Sequence, residues 1–397
     1  MNRRDFHSGV TVVDLGRVLA APFACSVLAS LGARVIKVER PGTGDDARAF
    51  GPFHAGHSLY FTSVNCAKES IALDLKASTD REVFEGLLDM ADVLVENFSP
   101  GVMESLGYGW PRVRERWPKL VYASVSGFGQ TGPLCSKPSY DIIAQALSGM
   151  MSLTGTPGGP PVRVGASIGD LVAGLYLALG VVAALHRRST THRGDRIDVA
   201  MLDTQIAFLE AAVTTYSATG VVPVARGTRH PTIAPFQAFR CRDRWIVIAA
   251  GNDDLFVRLC QVIGAPELAT DPRFASNALR QASIDELDAL ISSSLSLAAA
   301  ADWVARFTSA GVPCAPIQSI DQMVTMEQVA ARNMVIPVEH ADLASARVPG
   351  DPIKFASVAS RTSRPPPPRL DEHRAALLRE LDRESNIEGN GVARPKS

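Results

Sequence analysis

The chain of 397 residues lacks any run of like charge, and its net charge at pH 7 is −1. Nothing in it suggests a nucleic-acid partner or a charged membrane surface. It also lacks a C-x-x-C pair. Its six cysteines (Cys25, Cys66, Cys135, Cys241, Cys260 and Cys314) read as reduced, mostly buried thiols of a cytoplasmic protein, not as a disulfide framework. None of the eight histidines has a metal-type spacing such as H-E-x-x-H, and no G-x-x-x-x-G-K-[ST] phosphate loop occurs. The opening MNRRDFHSG has no apolar stretch of a secretory signal, and no internal repeat is visible.

What is present is globular: 46% of residues are hydrophobic and 20% charged. The length exceeds one ordinary domain, so two are expected. Through about residue 200, strand and helix signals alternate. Strands are expected at Thr11–Leu15, Arg34–Val38, Ser70–Leu75, Val93–Val95 and Leu120–Val125, with helices at Ala21–Leu31 and Glu82–Met90. Such alternation predicts an α/β domain with a mostly parallel, Rossmann-like open sheet, and ligand loops after strand C-termini. From Ile197 through Gln205 the pattern reads as a further long helical stretch ending near Thr219. A smaller α+β domain follows, with a strand pair at Phe236–Arg240 and Trp245–Ala249. The expected division is 1–200, a linker helix over 201–226, a small domain over 227–326, and a return to the large domain over 327–397. Residues beyond about Arg383 are polar, and disorder is expected there.

The most informative single residue is Asp170. It ends Gly165-Ala166-Ser167-Ile168-Gly169-Asp170 and precedes a stretch, Leu171–Leu185, in which every residue is apolar, Gly or Tyr. That stretch reads as a buried helix and falls short of the about 20 apolar residues a membrane span needs. Asp170 is either a helix cap or a carboxylate kept ionised by the helix dipole and used as a nucleophile. GFGQTG, Gly127 to Gly132, matches G-x-G-x-x-G, but Pro133 follows instead of a helix and no acidic residue lies about 20 positions on. A dinucleotide-dependent dehydrogenase is therefore not expected.

Six segments occur in order: VTVVDLGRVLAAPFACSVLASLGARVIKVERPGTGDDAR, ESIALDLK, ADVLVENFSPGV, VYASVSGFGQTGP, KPSYDIIAQALSGMMSLTG and VRVGASIGD. Together, from about Val10 to about Leu370, they resemble the family III CoA-transferases, the group of the formyl-CoA and carnitine CoA-transferases. The resemblance implies that the two domains are joined by long linkers into a ring, and that two rings interlock as a homodimer. It implies an acyl-CoA thioester and a carboxylic acid as substrates, no permanently bound cofactor, and no nucleic-acid or membrane partner.

It also implies site residues. Asp170 matches the nucleophile. Val18, Leu19 and Ala20 match the loop lining the thioester end of CoA. Leu19 stands where formyl-CoA transferases carry glutamine, which argues against oxalate or formate as substrate. Arg40 matches a basic CoA contact, or is a solvated charge at a strand end. Leu73, Asp74, Leu75 and Lys76 match contacts to the nucleotide end. Asn97, Phe98 and Ser99 match a segment bounding the CoA, although Asn97 and Ser99 could simply cap a helix. Lys137 and Tyr140 flank the pantetheine and phosphate region, although Tyr140 could be ordinary core.

Two alternatives stay open. The α-methylacyl-CoA racemases share the fold and the aspartate, but pair it with a histidine thirty residues earlier, where this chain has Tyr140. The other is a catalytically silent CoA-binding protein. The segment GTRHPTIAPFQAF…WIVIAAGNDDLF resembles transferases that use succinyl-CoA and small dicarboxylic acids. Arg48, Arg229 and His230 are candidates to hold a distal carboxylate.

Overall fold

A computed structural model describes residues 9–389. The chain divides into two compact units. One comprises residues up to 150 with 163–214 and from 327 onward; the other comprises 151–162 and 215–326.

The larger unit is built on six parallel strands: β1 (Thr11–Asp14), β2 (Arg34–Glu39), β5 (Glu69–Ala72), β6 (Val93–Glu96), β7 (Val121–Ser126) and β8 (Arg196–Ala200). Their order is β5-β2-β1-β6-β7-β8. β3 (Phe53–His54) and β4 (His57–Ser58) form a small antiparallel hairpin outside this sheet. The alternation of side chains along a strand gives the sheet two apolar faces. Val12, Val35, Val93 and Ala123 pack with the Ala20–Ser30 and Ile168–Thr191 helices. Val13, Ile36, Leu94 and Tyr122 pack on the other face with Phe84, Leu87 and Leu377. The two helices of the first face touch closely at Gly174, where a Cβ would meet the Ala20 carbonyl at 2.5 Å. The strand order reverses between β1 and β6, and such a switch point opens a crevice at the strand C-termini.

Three expectations are corrected. Ile197–Gln205 is not a continuous helix. Arg196–Ala200 is the sixth strand, followed by separate helices at Met201–Ala207 and Ala212–Thr219. Ile197 and Val199 pack on the core while Asp198 turns away, so the period here is two. The apolar run belongs to a helix of 24 residues, Ile168–Thr191, long and apolar enough by composition to cross a membrane. Its Val172, Ala173, Leu177 and Val181 are buried in the sheet's core, whereas Leu175, Tyr176 and Leu179 are exposed, so the run is not buried all round. The chain past Arg383 continues as helix to Gly389, in an element that begins at Arg374; residues 390–397 lie outside those described.

β12 (Val335–Pro337) and β13 (Arg347–Pro349) pair antiparallel in the same unit. The chain then runs along β5: Asp371 Oδ1 accepts Ala72 N–H at 2.7 Å, and Arg34 bonds both Glu69 and Glu380.

The smaller unit holds β9 (Phe236–Arg240), β10 (Trp245–Ala249) and β11 (Cys314–Pro316) in an antiparallel sheet of order β11-β10-β9. The helices Asp253–Val262, Ile284–Leu295 and Ala300–Ser309 cover it around Phe256, Phe274, Trp303 and Phe307.

Candidate active site

A cavity of about 770 Å³ lies in the larger unit, at the C-terminal ends of β1, β2, β5, β6 and β7. Every residue matched to the nucleophile or to a CoA contact lines it: Val18, Leu19 and Ala20 after β1; Arg40 after β2; Leu73, Asp74, Leu75 and Lys76 after β5; Asn97, Phe98 and Ser99 after β6; and Lys137, Tyr140 and Asp170. Leu19, Ala20 and Leu73 are buried, whereas Arg40, Lys76 and Lys137 are exposed basic groups around it. Tyr140 is 75% exposed, which removes the reading of it as core. GFGQTG runs into a turn after β7, and the next helix begins only at Asp141, so the cavity has no dinucleotide-type loop.

The loop after β1 is held in an unusual conformation. Val18 has φ +65°, a left-handed value that a β-branched side chain strongly disfavours. Buried side chains hold this loop residue by residue. Asp14 Oδ1 accepts Gly16 N–H at 2.8 Å, and Lys37 Nζ donates to Gly16 O at 2.6 Å. Arg17 and Asn97 exchange two bonds of 2.8 Å across the switch point. Asp45 Oδ1 accepts Val18 N–H at 3.0 Å. Asn97 is thus a brace of the cavity wall, not a helix cap.

The charges behind this loop are compensated. Lys37 sits 2.8 Å from Asp45, and Lys68 sits 2.9 Å from Asp14, all four fully out of solvent or nearly so. Burial alone would raise the Asp14 carboxyl, but Lys68 and Lys37 hold it below its ordinary value. Burial would likewise raise Asp45 and Glu39, and Lys37 and Arg48 respectively keep them low.

Asp170 has the opposite surroundings. It lies in the first turn of the Ile168–Thr191 helix, after the cap position Ser167. Burial, and then the nearby Asp141 carboxylate, push it up to about 7. The helix dipole was expected to keep it ionised, but that effect is worth about 0.3–1 kcal/mol. A rise from 3.8 to about 7 corresponds to a few kcal/mol, on the order of four before allowance for solvent, so burial wins. Asp141 is fixed beside it. Its Oδ1 accepts Gly169 N–H at 2.7 Å, and its Oδ2 accepts Gln145 Nε2–H at 2.8 Å. A Cβ at Gly169 would meet Gln205 Nε2 at 2.6 Å and Asp141 Oδ1 at 2.9 Å, so glycine is needed for this approach.

Several residues at the site were not singled out from the sequence: Arg17, Asp45, Lys37, Asp141 and Tyr60. Asp141 follows Tyr140 directly, and its place in a first helical turn was its only local signal. Tyr60 is raised by burial and then by the Asp170 charge, which sets it near that carboxylate. Asp46 pairs with both Arg17 and Arg40 at the cavity.

The three candidates for a distal carboxylate are committed elsewhere. Arg48 bonds Glu39 through two 2.7 Å contacts and lies over Phe61, away from the cavity lining. In the smaller unit Arg229 pairs with Asp285 and Asp288 at 2.7 and 2.5 Å, and His230 Nδ1 accepts Thr232 N–H at 3.2 Å.

The profile of CoA-transferase family III matches residues 8–374. The chain belongs to that family. It is 48% identical over 374 residues to an acetyl-CoA:oxalate CoA-transferase of Acetobacter aceti, covering 94% of this chain and 95% of that one. It is 37% identical over 374 residues to a human succinyl-CoA:glutarate CoA-transferase, covering 94% and 85%. Among solved structures, it is similar to a CAIB/BAIF family protein from Brucella suis, with a TM-score of 0.85 at 36% identity, covering 94% of this chain and 99% of that one. The parallel open sheet is thus the family's fold, and the relatives at this level of identity are CoA-transferases.

Proposed function

We propose that the protein moves CoA from an acyl-CoA donor to a small dicarboxylic acid, with Asp170 as the covalent nucleophile. The observation that carries this reading is Asp170 itself: a carboxylate without a paired cation among the described residues, raised to about 7, on the wall of a 770 Å³ cavity that basic groups surround. Arg40, Lys76 and Lys137 would meet the phosphates, and the apolar wall of Leu19, Leu73 and Phe98 would take the pantetheine arm.

Asp170 first loses its proton. Its oxygen attacks the thioester carbonyl, the C–S bond breaks, and a mixed anhydride forms as CoA leaves as thiolate. The thiolate attacks the aspartyl carbonyl, which releases the donor acid and leaves an aspartyl-CoA thioester. The acceptor carboxylate attacks that thioester, and the returning thiolate takes the acceptor's acyl group and frees Asp170. Each covalent step divides a difficult exchange into easier ones and preserves the thioester's free energy. The first turn of the Asp170 helix offers backbone N–H groups to developing oxyanions. A carboxylate raised by burial is a better nucleophile than a solvated one, because water does not hold its charge.

Relatives' names supply the acceptor class. Leu19 argued against oxalate, whereas a relative at 48% identity is named for it, so oxalate stands beside glutarate among the acceptors to test. We also propose a homodimer, which the exposed Leu175, Tyr176 and Leu179 support. The racemase alternative gains nothing, because Tyr140 occupies the histidine's place.

The test is an exchange assay. Acetyl-CoA or succinyl-CoA is incubated with oxalate, glutarate or mesaconate, and acyl-CoA products are separated by chromatography. A new acyl-CoA from one donor and one dicarboxylate is expected. No exchange with any pair would sink the reading.

A further inference from the structure

Away from the Asp170 cavity, the β3–β4 hairpin meets the turn Ala341–Leu343 that lies between β12 and β13. The meeting brings His57, His340 and Asp342 together, with one ligand-capable atom of each within 4.8 Å of the other two. His57 Nε2 is 3.7 Å from Asp342 Oδ2, and His340 Nδ1 is 3.9 Å from the same oxygen. The two imidazole rings meet edge to face with centroids 5.0 Å apart. His340 Nδ1 accepts Asp342 N–H at 3.2 Å. The one in-plane lone pair of that nitrogen is thus engaged in capping the turn, and a metal bound there would take the place of this long hydrogen bond. Both histidines are half-buried and Asp342 is exposed, so an ion can enter from solvent.

A tetrahedral zinc ion with bonds of about 2.0–2.1 Å holds its donors about 3.4 Å apart. The two Asp342 separations of 3.7 and 3.9 Å need a few tenths of an ångström of closure, which rotation of an exposed carboxylate can supply, and the two imidazole donors, within 4.8 Å of each other, close on the ion by turning their half-buried rings. Two imidazoles and one carboxylate suit zinc and its first-row neighbours; calcium and magnesium prefer oxygen alone.

We propose that His57, His340 and Asp342 form a zinc-class divalent-cation site that clips the hairpin to the C-terminal turn. Solvent completes the fourth position. The ion would join residues far apart in the chain and so close a long loop. It would also steady the neighbouring Leu59–Asn65 helix, whose cap is Ser58, bonded to Phe61 N–H at 3.0 Å.

The experiment uses untagged full-length protein stripped with a chelator and then titrated with zinc chloride. Bound zinc is read by elemental mass spectrometry and calorimetry, and the melting temperature is followed with and without zinc. One zinc per chain and a raised melting temperature are expected. His57→Ala and Asp342→Asn should each weaken zinc about 100-fold or more, beyond the effect of losing a supporting group around a metal ligand. Asp342→Asn changes an exposed side chain, so its zinc-free melting should match the wild type and exclude a folding defect. A wild type that takes up no zinc, or an Asp342→Asn variant that binds it as tightly, would overturn the proposal. Neither readout depends on acyl transfer.

Discussion

Two groups of acidic side chains lie at or just behind the wall of the same cavity and are treated in opposite ways. Behind the β1 loop, Asp14, Asp45 and Glu39 are buried, and each has a cation in contact: Lys68, Lys37 and Arg48. At the mouth of the Ile168–Thr191 helix, Asp170 is half-buried beside a second carboxylate, Asp141, whose cation partner among the described residues is Arg163 at 4.0 Å. The first group has its carboxyls held low, and the second has one raised to about 7. Compensated charges hold a wall in place; an uncompensated one is a reservoir of reactivity.

The largest effect comes from removing the uncompensated group. Asp170→Ala should lower acyl transfer about 10⁴-fold or more, as for other covalent nucleophiles, with no loss of stability at neutral pH. A variant with a tenth of wild-type activity would end the claim that Asp170 is attacked.

Removing a compensating group should instead damage the fold. Lys68→Met strands Asp14 in the core and should cost about 3–5 kcal/mol in denaturant unfolding. A loss below about 1 kcal/mol would break the contrast between the two groups.

Acid should act on the two groups in opposite directions. Asp14, Asp45 and Glu39 titrate lower in the fold than unfolded. Their stabilisation is present above the ordinary carboxylate pKa of about 4 and disappears as pH falls through the lowered values. Asp170 titrates higher in the fold. Its penalty is absent below about pH 4 and grows as pH rises toward about 7. Asp170→Asn should therefore gain stability relative to wild type across that window, on the order of 2 kcal/mol. With Asp170 as the proposed nucleophile, the same proton would govern turnover, and kcat/KM should fall as pH drops below about 7. Asp141→Asn should move that limb to lower pH. Glu96, also raised to about 7 by burial, could produce a similar limb. Glu96→Gln should leave the limb in place, and its disappearance there would reassign it.

The smallest effect concerns the strained loop. Val18→Gly relieves the left-handed φ but loosens the unfolded chain, so stability should change by less than about 1 kcal/mol. A larger loss would mean that the Val18 side chain, and not its backbone, is what the loop requires.

What the sequence made legible is what is local. Apolar strands ending in Gly, Asn and Ser loops marked the parallel sheet, and Asp170 stood out because an acid opened an apolar run. Ile197–Gln205 reads as helix in the sequence because the strand Arg196–Ala200 leads without a break into a real helix at Met201, and its alternation spans only five residues. The pairing of Asp45 with Val18, and of Asp141 with Gly169, joins residues 27 and 28 positions apart, through folded-chain contacts no local pattern announces. The same holds for burial: an acid in the first turn of a helix looks stabilised until the depth of its site is known.

The most direct test is intact mass spectrometry of wild type and Asp170→Ala after incubation with an active acyl-CoA donor and hydroxylamine. Hydroxylamine converts an activated aspartyl carbonyl to a hydroxamate, a gain of about 15 Da. The account predicts that gain in the wild type, mapped by peptide digestion to Asp170, and no gain in the variant. A wild type that turns over yet acquires no adduct, or an adduct that persists in Asp170→Ala, would contradict it.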